Sequence, residues 1–148
     1  MDIICIEKET DFGGNLHKID FVDFLYEHLE QYGDPKCDIE KAIDYALSDV
    51  EGKGGFLLAG YYSNEFAGAL IMNKTGMSGY IPENIIVYVA AHKNWRAMGI
   101  GFYLIQKAIE MAEGEIALHV EQDNPARKFY EKMEFKSKYV EMRLKTKD

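Results

Sequence analysis

The residues best placed to do chemistry lie in one stretch, Val87-Tyr-Val-Ala-Ala-His-Lys-Asn-Trp-Arg-Ala-Met-Gly99-Ile-Gly101. It reads as a buried strand that passes through a short loop into a helix. At its centre is Arg96-x-x-Gly99-x-Gly101. Two residues without side chains let a ligand approach the backbone. Free N–H groups at a helix start hold a phosphate oxygen against the positive end of the helix dipole. By physics alone this is a cradle for a diphosphate, although glycines near a helix start also serve packing and turns.

The chain beyond that helix gives the pattern more meaning. After one further strand comes Asn124-Pro-Ala-Arg-Lys-Phe-Tyr130-Glu-Lys-Met-Glu-Phe135. Asn124 is placed to cap a helix with Pro125 at its first position. Tyr130 falls on an apolar stripe with Ala126, Phe129 and Met133, so its ring packs there whatever its hydroxyl does. Arg96, Gly99 and Gly101 after a strand, then Asn124 and Tyr130 in a helix that ends at a Phe, resemble the Gcn5-related N-acetyltransferase (GNAT) family over roughly residues 87–144. Residues 1–84 are similar to that family only in the order of their elements.

The resemblance implies acetyl-CoA as cosubstrate. Backbone amides of Arg96, Ala97, Met98, Gly99, Ile100 and Gly101 would then hold its pyrophosphate. The strand backbone at Val89 and Ala91 would bond the pantetheine arm, with the Val89 amide also serving the thioester oxygen. Asn124 would turn toward that arm, and Tyr130 toward the sulfur. Attack by a neutral amine builds an oxyanion and expels a thiolate. A pre-oriented strand N–H suits the first. A phenol of pKa about 10 keeps its proton at neutral pH and can give it to the second. The amine must itself lose a proton. Glu83 is the first choice of base, with His92, His119 and Glu121 as alternatives. Two positions depart from the family pattern: Lys93 where such strands often end in Pro, and Glu134 where a Gly often precedes the closing Phe.

The elements that must position these groups follow from periodicity. Ile3, Ile4 and Ile6 suggest a first strand. Val22, Leu25, Tyr26 and Leu29 mark one face of a helix, with Glu27, His28 and Glu30 off that face. A second helix, capped by Asp38, carries Ile39, Ala42, Ile43 and Ala46. Residues 56–62 and 66–72 form a hairpin, and 73–84 a loop. A strand over 85–91, a helix marked by Ile100, Leu104, Ala108 and Met111, a strand over 116–120, the Tyr130 helix and a last strand over 139–144 complete the chain. This is a mixed α/β order. The resemblance implies a splayed central sheet of about six to seven strands flanked by four helices, the acyl-CoA N-acyltransferase fold, open between its fourth and fifth strands.

A length of 148 residues predicts one domain over 1–148. Apolar residues at 47% and charged residues at 28% are the mix of a globular protein. The 17 Lys and Arg against 25 Asp and Glu give a net charge of -8, which argues against nucleic acid; it would favour a cationic acceptor, though solubility alone explains the same balance. Cys5 and Cys37 lack metal-ligand spacing, as do His17, His28 and His92, so no metal is expected. No leader or membrane-length apolar run is apparent, which predicts a cytoplasmic protein without a membrane partner. A monomer or homodimer is expected. The acceptor would be a small-molecule amine or a peptide, in a pocket built by the 74–83 loop with Met77 and Tyr80 and by Tyr26, Glu27 and Glu30. Two other readings are a non-catalytic CoA or acetyl-CoA sensor and a nucleotide-binding module. The second lacks the Lys-Ser or Lys-Thr that phosphate loops of that type place after the glycines.

Overall fold

Apolar runs bounded by glycines and turn residues become five strands in the computed structural model, which describes residues 1–147. They are β1 (Asp2–Ile6), β2 (Gly55–Tyr62), β3 (Glu65–Lys74), β4 (Asn84–Ala91) and β5 (Ile116–Leu118), in the order β1-β2-β3-β4-β5. β1 to β4 pair antiparallel and β4 with β5 parallel. Ser63 and Asn64, with φ of 48° and 65°, turn β2 into β3 as a two-residue hairpin loop, the geometry whose twist matches the flanking strands.

Four helices cover the two faces of this sheet. α1 (Lys18–Leu29) and α2 (Lys36–Ala46) lie on one, α3 (Ile100–Met111) and α4 (Ala126–Lys132) on the other. Because side chains alternate along a strand, Leu57, Ala59, Ala69 and Ile71 join the α1/α2 core, while Leu58, Leu70 and Met72 join the α3 core. All seven are fully buried. α3 lies close against the sheet because β3 offers Gly68 beneath it. A Cβ there would come within 2.5 Å of Ile100 Cγ2 and 2.8 Å of Leu104 Cδ1.

β4 carries the feature that matters most for a site. Its pairing with β3 shifts register between Ile71 and Met72, so Val87 is an extra residue on β4. Val87 and Tyr88 consequently both face the α1/α2 core, and beyond them Val89 and Ala91 face the α3/α4 core. On its other edge β4 pairs with β5 only over Asn84–Ile86, although it continues to Ala91. Asn84, buried, closes the joined end. Its Nδ2 donates to the carbonyls of Glu113 (2.7 Å) and Glu115 (3.2 Å). From Val87 onward the two strands part.

Several expectations need correction. Among the described residues five strands form rather than six or seven. Residues 139–144 alternate like a strand but make no ladder, and Tyr139, Val140, Met142 and Leu144 are 78–89% exposed. α2 begins at Lys36 after Pro35, so Asp38 lies inside its first turn instead of capping it. The buried face of α1 is Phe21, Val22, Phe24, Leu25 and His28, while Tyr26 is 52% exposed. β3 runs on to Lys74, and Asn84 belongs to β4 rather than to the loop.

Candidate functional site

Backbone direction determines what the open stretch of β4 can bind. The amide of His92 donates to Ala67 O on β3 at 2.8 Å. Since N–H groups alternate along a strand, those of Ala90 and Tyr88 also point to β3, and those of Val89 and Ala91 point the other way. That is the side from which β5 has departed. A chain of amide groups lying along β4 would meet Val89 and Ala91 as the next strand of a sheet meets its edge.

β4 leads into a short 3-10 turn (Lys93–Trp95) and then into a loop that bends twice through left-handed backbone, at Ala97 (φ 72°) and at Gly99 (φ 81°). Gly99 is the N-cap of α3 and makes no side-chain cap, and the first turn of the helix holds no acidic residue. The first intrahelical bond is Tyr103 N to Gly99 O at 3.0 Å. The amides of Ile100, Gly101 and Phe102 precede it and are orphan donors at the positive end of the dipole. A diphosphate fits this place, because it would supply what the fold omits: an acceptor and a negative charge. The side chain of Arg96 does not reach into the loop. It bonds His28 O (2.9 Å) and Glu30 Oε1 (2.8 Å), so only its backbone is available to such a ligand.

Across the splay stands α4. Asn124 Oδ1 accepts the Ala126 amide at 2.9 Å, the bond expected of a cap, although α4 starts at Ala126 and it is Pro125 (φ -57°, ψ -24°), rather than Asn124, that stands at the N-cap position. The helix ends in a Schellman motif: Phe135 N donates to Tyr130 O (3.1 Å) and Glu134 N to Glu131 O (3.0 Å). Phe135 folds back on the Tyr130 ring edge-on, at 6.1 Å between centroids. Tyr130 joins the same apolar cluster as Val89 and Ala91, and its hydroxyl bonds to none of the described residues. Burial pushes its pKa up, so the phenol stays protonated. The motif places Glu134 at φ 73°, a conformation that suits Gly. Glu134→Gly is expected to stabilise the fold by about 1 kcal/mol with unchanged turnover, which a thermal melt would register.

Glu83 is placed differently from the other predicted site residues. It precedes β4, beyond the closed end of the splay. Its Oε1 accepts the Glu115 amide (2.8 Å) and its Oε2 the Gly79 amide (3.2 Å). These backbone bonds, that from Glu115 first, lower its pKa and make it a weaker base. With Thr75 N to Glu83 O (2.9 Å) and Thr75 Oγ1 to Pro82 O (2.7 Å), it shuts the β3–β4 loop on itself. Met77 and Tyr80 sit on that loop, beside the C-terminal end of α2, where Tyr45 donates to Lys74 O. Tyr26, Glu27 and Glu30 lie near the N-terminal end of α2, as the Lys36–Asp23 ion pair and the Lys36–Tyr26 contact show. A helix of 11 residues, about 16 Å long, separates the two halves expected to form one acceptor pocket.

The α1–α2 half has a cleft of its own, about 560 Å³, lined by Tyr26, Glu27, Glu30, Gly33, Asp34 and Pro35. It adjoins both banks of the splay. Arg96 ties it to the glycine loop, Tyr32 donates to Asp123 O before α4 (3.3 Å), and Tyr88, just past the bulge, donates to Asp34. Burial, followed by Asp34, raises the Tyr88 pKa. His119 and Glu121 lie beyond the end of β5 and are exposed, and the His92 Nδ1 accepts the Asn94 amide at 3.2 Å. Among the described residues no helix is long and apolar enough to cross a membrane, and no group of three His, Cys, Asp or Glu is disposed to hold a metal.

The fold recurs among solved structures. The solved ribosomal-protein-alanine N-acetyltransferase from Brucella melitensis biovar Abortus 2308 superposes with a TM-score of 0.64 at 16% identity, covering 100% of both chains. An aminoglycoside 6'-N-acetyltransferase from Acinetobacter haemolyticus superposes with a TM-score of 0.69 at 13% identity, over 100% of this chain and 99% of that one. An aminoglycoside acetyltransferase from an uncultured soil metagenomic sample, in complex with sisomicin, gives 0.64 at 19% identity over 99% and 96%. These similarities establish the fold. A comparison with curated protein sequences finds no match. The model of the acetyltransferase (GNAT) family matches residues 16–135, which takes in both helical layers, the splayed strands and the glycine loop. On that match the chain belongs to the GNAT acetyltransferase family, whose members take their acetyl group from acetyl-CoA.

Proposed function

We propose that this protein transfers the acetyl group of acetyl-CoA directly to a primary amine, of a small molecule or of a peptide N-terminus. The observation that carries the reading is the course of β4. It loses β5 at its bulge, exposes the Val89 and Ala91 amides along the opening, and delivers the chain to the uncapped start of α3. When bound, acetyl-CoA supplies an activated acyl group whose leaving atom is a thiolate. The amides from Arg96 to Gly101 would hold its diphosphate and those of Val89 and Ala91 would align its arm, with the Val89 amide available to donate to the thioester oxygen. Tyr130 would give its proton to the departing sulfur, and the proton shed by the newly acylated nitrogen would return through water to restore the phenol. Asn124 shapes the start of the helix that carries Tyr130.

The acceptor enters through the cleft at the α1–α2 turn. With Glu30 paired to Arg96 and Glu27 near Lys93, Asp34, which accepts from the neutral Tyr88 hydroxyl, is the carboxylate of the cleft best placed to favour a cation, and the amine releases its proton to water there. We assign Glu83 to closing the β3–β4 loop rather than to proton abstraction, because both its oxygens are already hydrogen-bonded. Similar structures are named for acetylating a ribosomal protein's alanine and for acetylating aminoglycosides, so their names span both acceptor classes. The test is acetyl-CoA-dependent thiol release over a panel of amines, polyamines, aminoglycosides and peptide N-termini. Release with at least one acceptor is expected. Saturable acetyl-CoA binding with no release on any would favour the sensor, and no binding would dismiss both.

A further inference from the structure

His28 is buried in the last turn of α1, 4% exposed, in a row of rings that runs from the core to the glycine loop. Its imidazole lies between Phe24 (4.3 Å between centroids) and His92 (4.2 Å), and Trp95 stacks on His92 at 4.4 Å. Nδ1 accepts the Lys93 amide at 3.1 Å, which puts the imidazole proton on Nε2, 3.5 Å from Glu27 Oε2. The carbonyl of the same residue accepts Arg96 Nη2 at 2.9 Å. One residue thus grips both ends of segment 93–96, directly before the left-handed turn at Ala97.

We propose that His28 is a positioning residue for the cofactor loop: its Nδ1, by accepting the Lys93 amide, and its carbonyl, by accepting Arg96, hold the loop in the shape that turns its amides to the ligand. This role rests on the loop being the diphosphate site. The imidazole must be neutral to do this, since a proton on Nδ1 would face the Lys93 N–H. Burial, then His92, Lys93 and Arg96, favour the neutral form and lower the pKa. Glu27 opposes them, and Phe24 contributes only an apolar wall. Glu30 is already paired with Arg96.

The chain's single Trp, Trp95, is part of this row, so its emission reports on the loop. His28→Leu keeps bulk and loses the acceptor, while His28→Asn returns an acceptor oxygen near the place of Nδ1. In acetyl-CoA titrations followed by Trp95 emission, the Leu variant is expected to bind about five- to tenfold more weakly, and Asn to recover most of the loss. In turnover, KM for acetyl-CoA should rise more than kcat falls. Wild-type affinity should also drop relative to Asn as pH falls through the His28 pKa, which burial holds under the ordinary imidazole value, a comparison that stands even if the Leu variant folds poorly. Equal affinities for Leu and Asn, or parallel pH profiles for wild type and Asn, would overturn the inference while leaving the cofactor site intact. A wild-type protein that shows no saturable response to acetyl-CoA would remove the site and the inference together.

Discussion

Tyr130→Phe is expected to lower kcat about 100- to 1,000-fold, within the range that a positioned general acid contributes. KM for acetyl-CoA should stay within about threefold of wild type, because the Tyr130 ring, not its oxygen, lines the apolar cluster beside Val89 and Ala91. The hydroxyl bonds to none of the described residues, so its loss should leave the melting temperature nearly unchanged. The ring is held on two sides, by Phe129 at 5.6 Å between centroids and by Phe135 at 6.1 Å, and neither contact involves the oxygen. Burial raises the phenol's pKa, so it is a full proton donor throughout the neutral range. Steady-state thiol release and a thermal melt on the same preparation test both halves. Wild-type turnover in the Phe variant would take Tyr130 out of the chemistry.

Gly101→Asp should separate binding from stability in opposite directions. Position 101 is the second residue of α3, and its first turn carries no acid. A carboxylate there meets the unfilled amides and the positive end of the dipole, which stabilises a helix by roughly 0.3–1 kcal/mol. The space tolerates it: a Cβ at 101 would lie 3.7 Å from the Phe129 ring, an ordinary contact, and the backbone there is not left-handed. The same carboxylate would occupy the donors a diphosphate needs and repel its charge. Like charges about 4 Å apart near a protein surface repel by about 4 kcal/mol before salt screening. Acetyl-CoA affinity is therefore expected to fall at least about 100-fold while the melting temperature holds or rises. A variant that melts higher and still binds would place the diphosphate elsewhere.

The parts of the site written locally in the chain were legible from sequence. Gly99 and Gly101 after a strand mark a bare helix start, Asn124-Pro125 marks the beginning of a helix, and the stripe of Ala126, Phe129, Tyr130 and Met133 marks its packed face. Each depends on neighbours within a few residues. His28 is not legible, because the spacing of Val22, Leu25, Tyr26 and Leu29 marks a helical face that leaves it out. The Phe21, Phe24, Leu25, His28 spacing was equally present, and only the packed core of aromatic rings decides between them. The bulge at Val87 has no local signature, since it exists only in the pairing with β3. Glu83 looked like a base because it precedes β4, yet that position is the closed end of the splay, where Gly114 leaves just enough room for its carboxylate. The alternation of 139–144 satisfies a strand's pattern without supplying the partner that a strand requires.

The most direct test of the site is amide NMR of the protein titrated with CoA. Shifts are expected to concentrate on Val89, Ala91 and residues 96–101, with Trp95 moving and the β3–β4 loop around Gly79 and Glu83 unchanged. Saturable binding that left the 96–101 amides unshifted would contradict the assignment of that helix start as the diphosphate site.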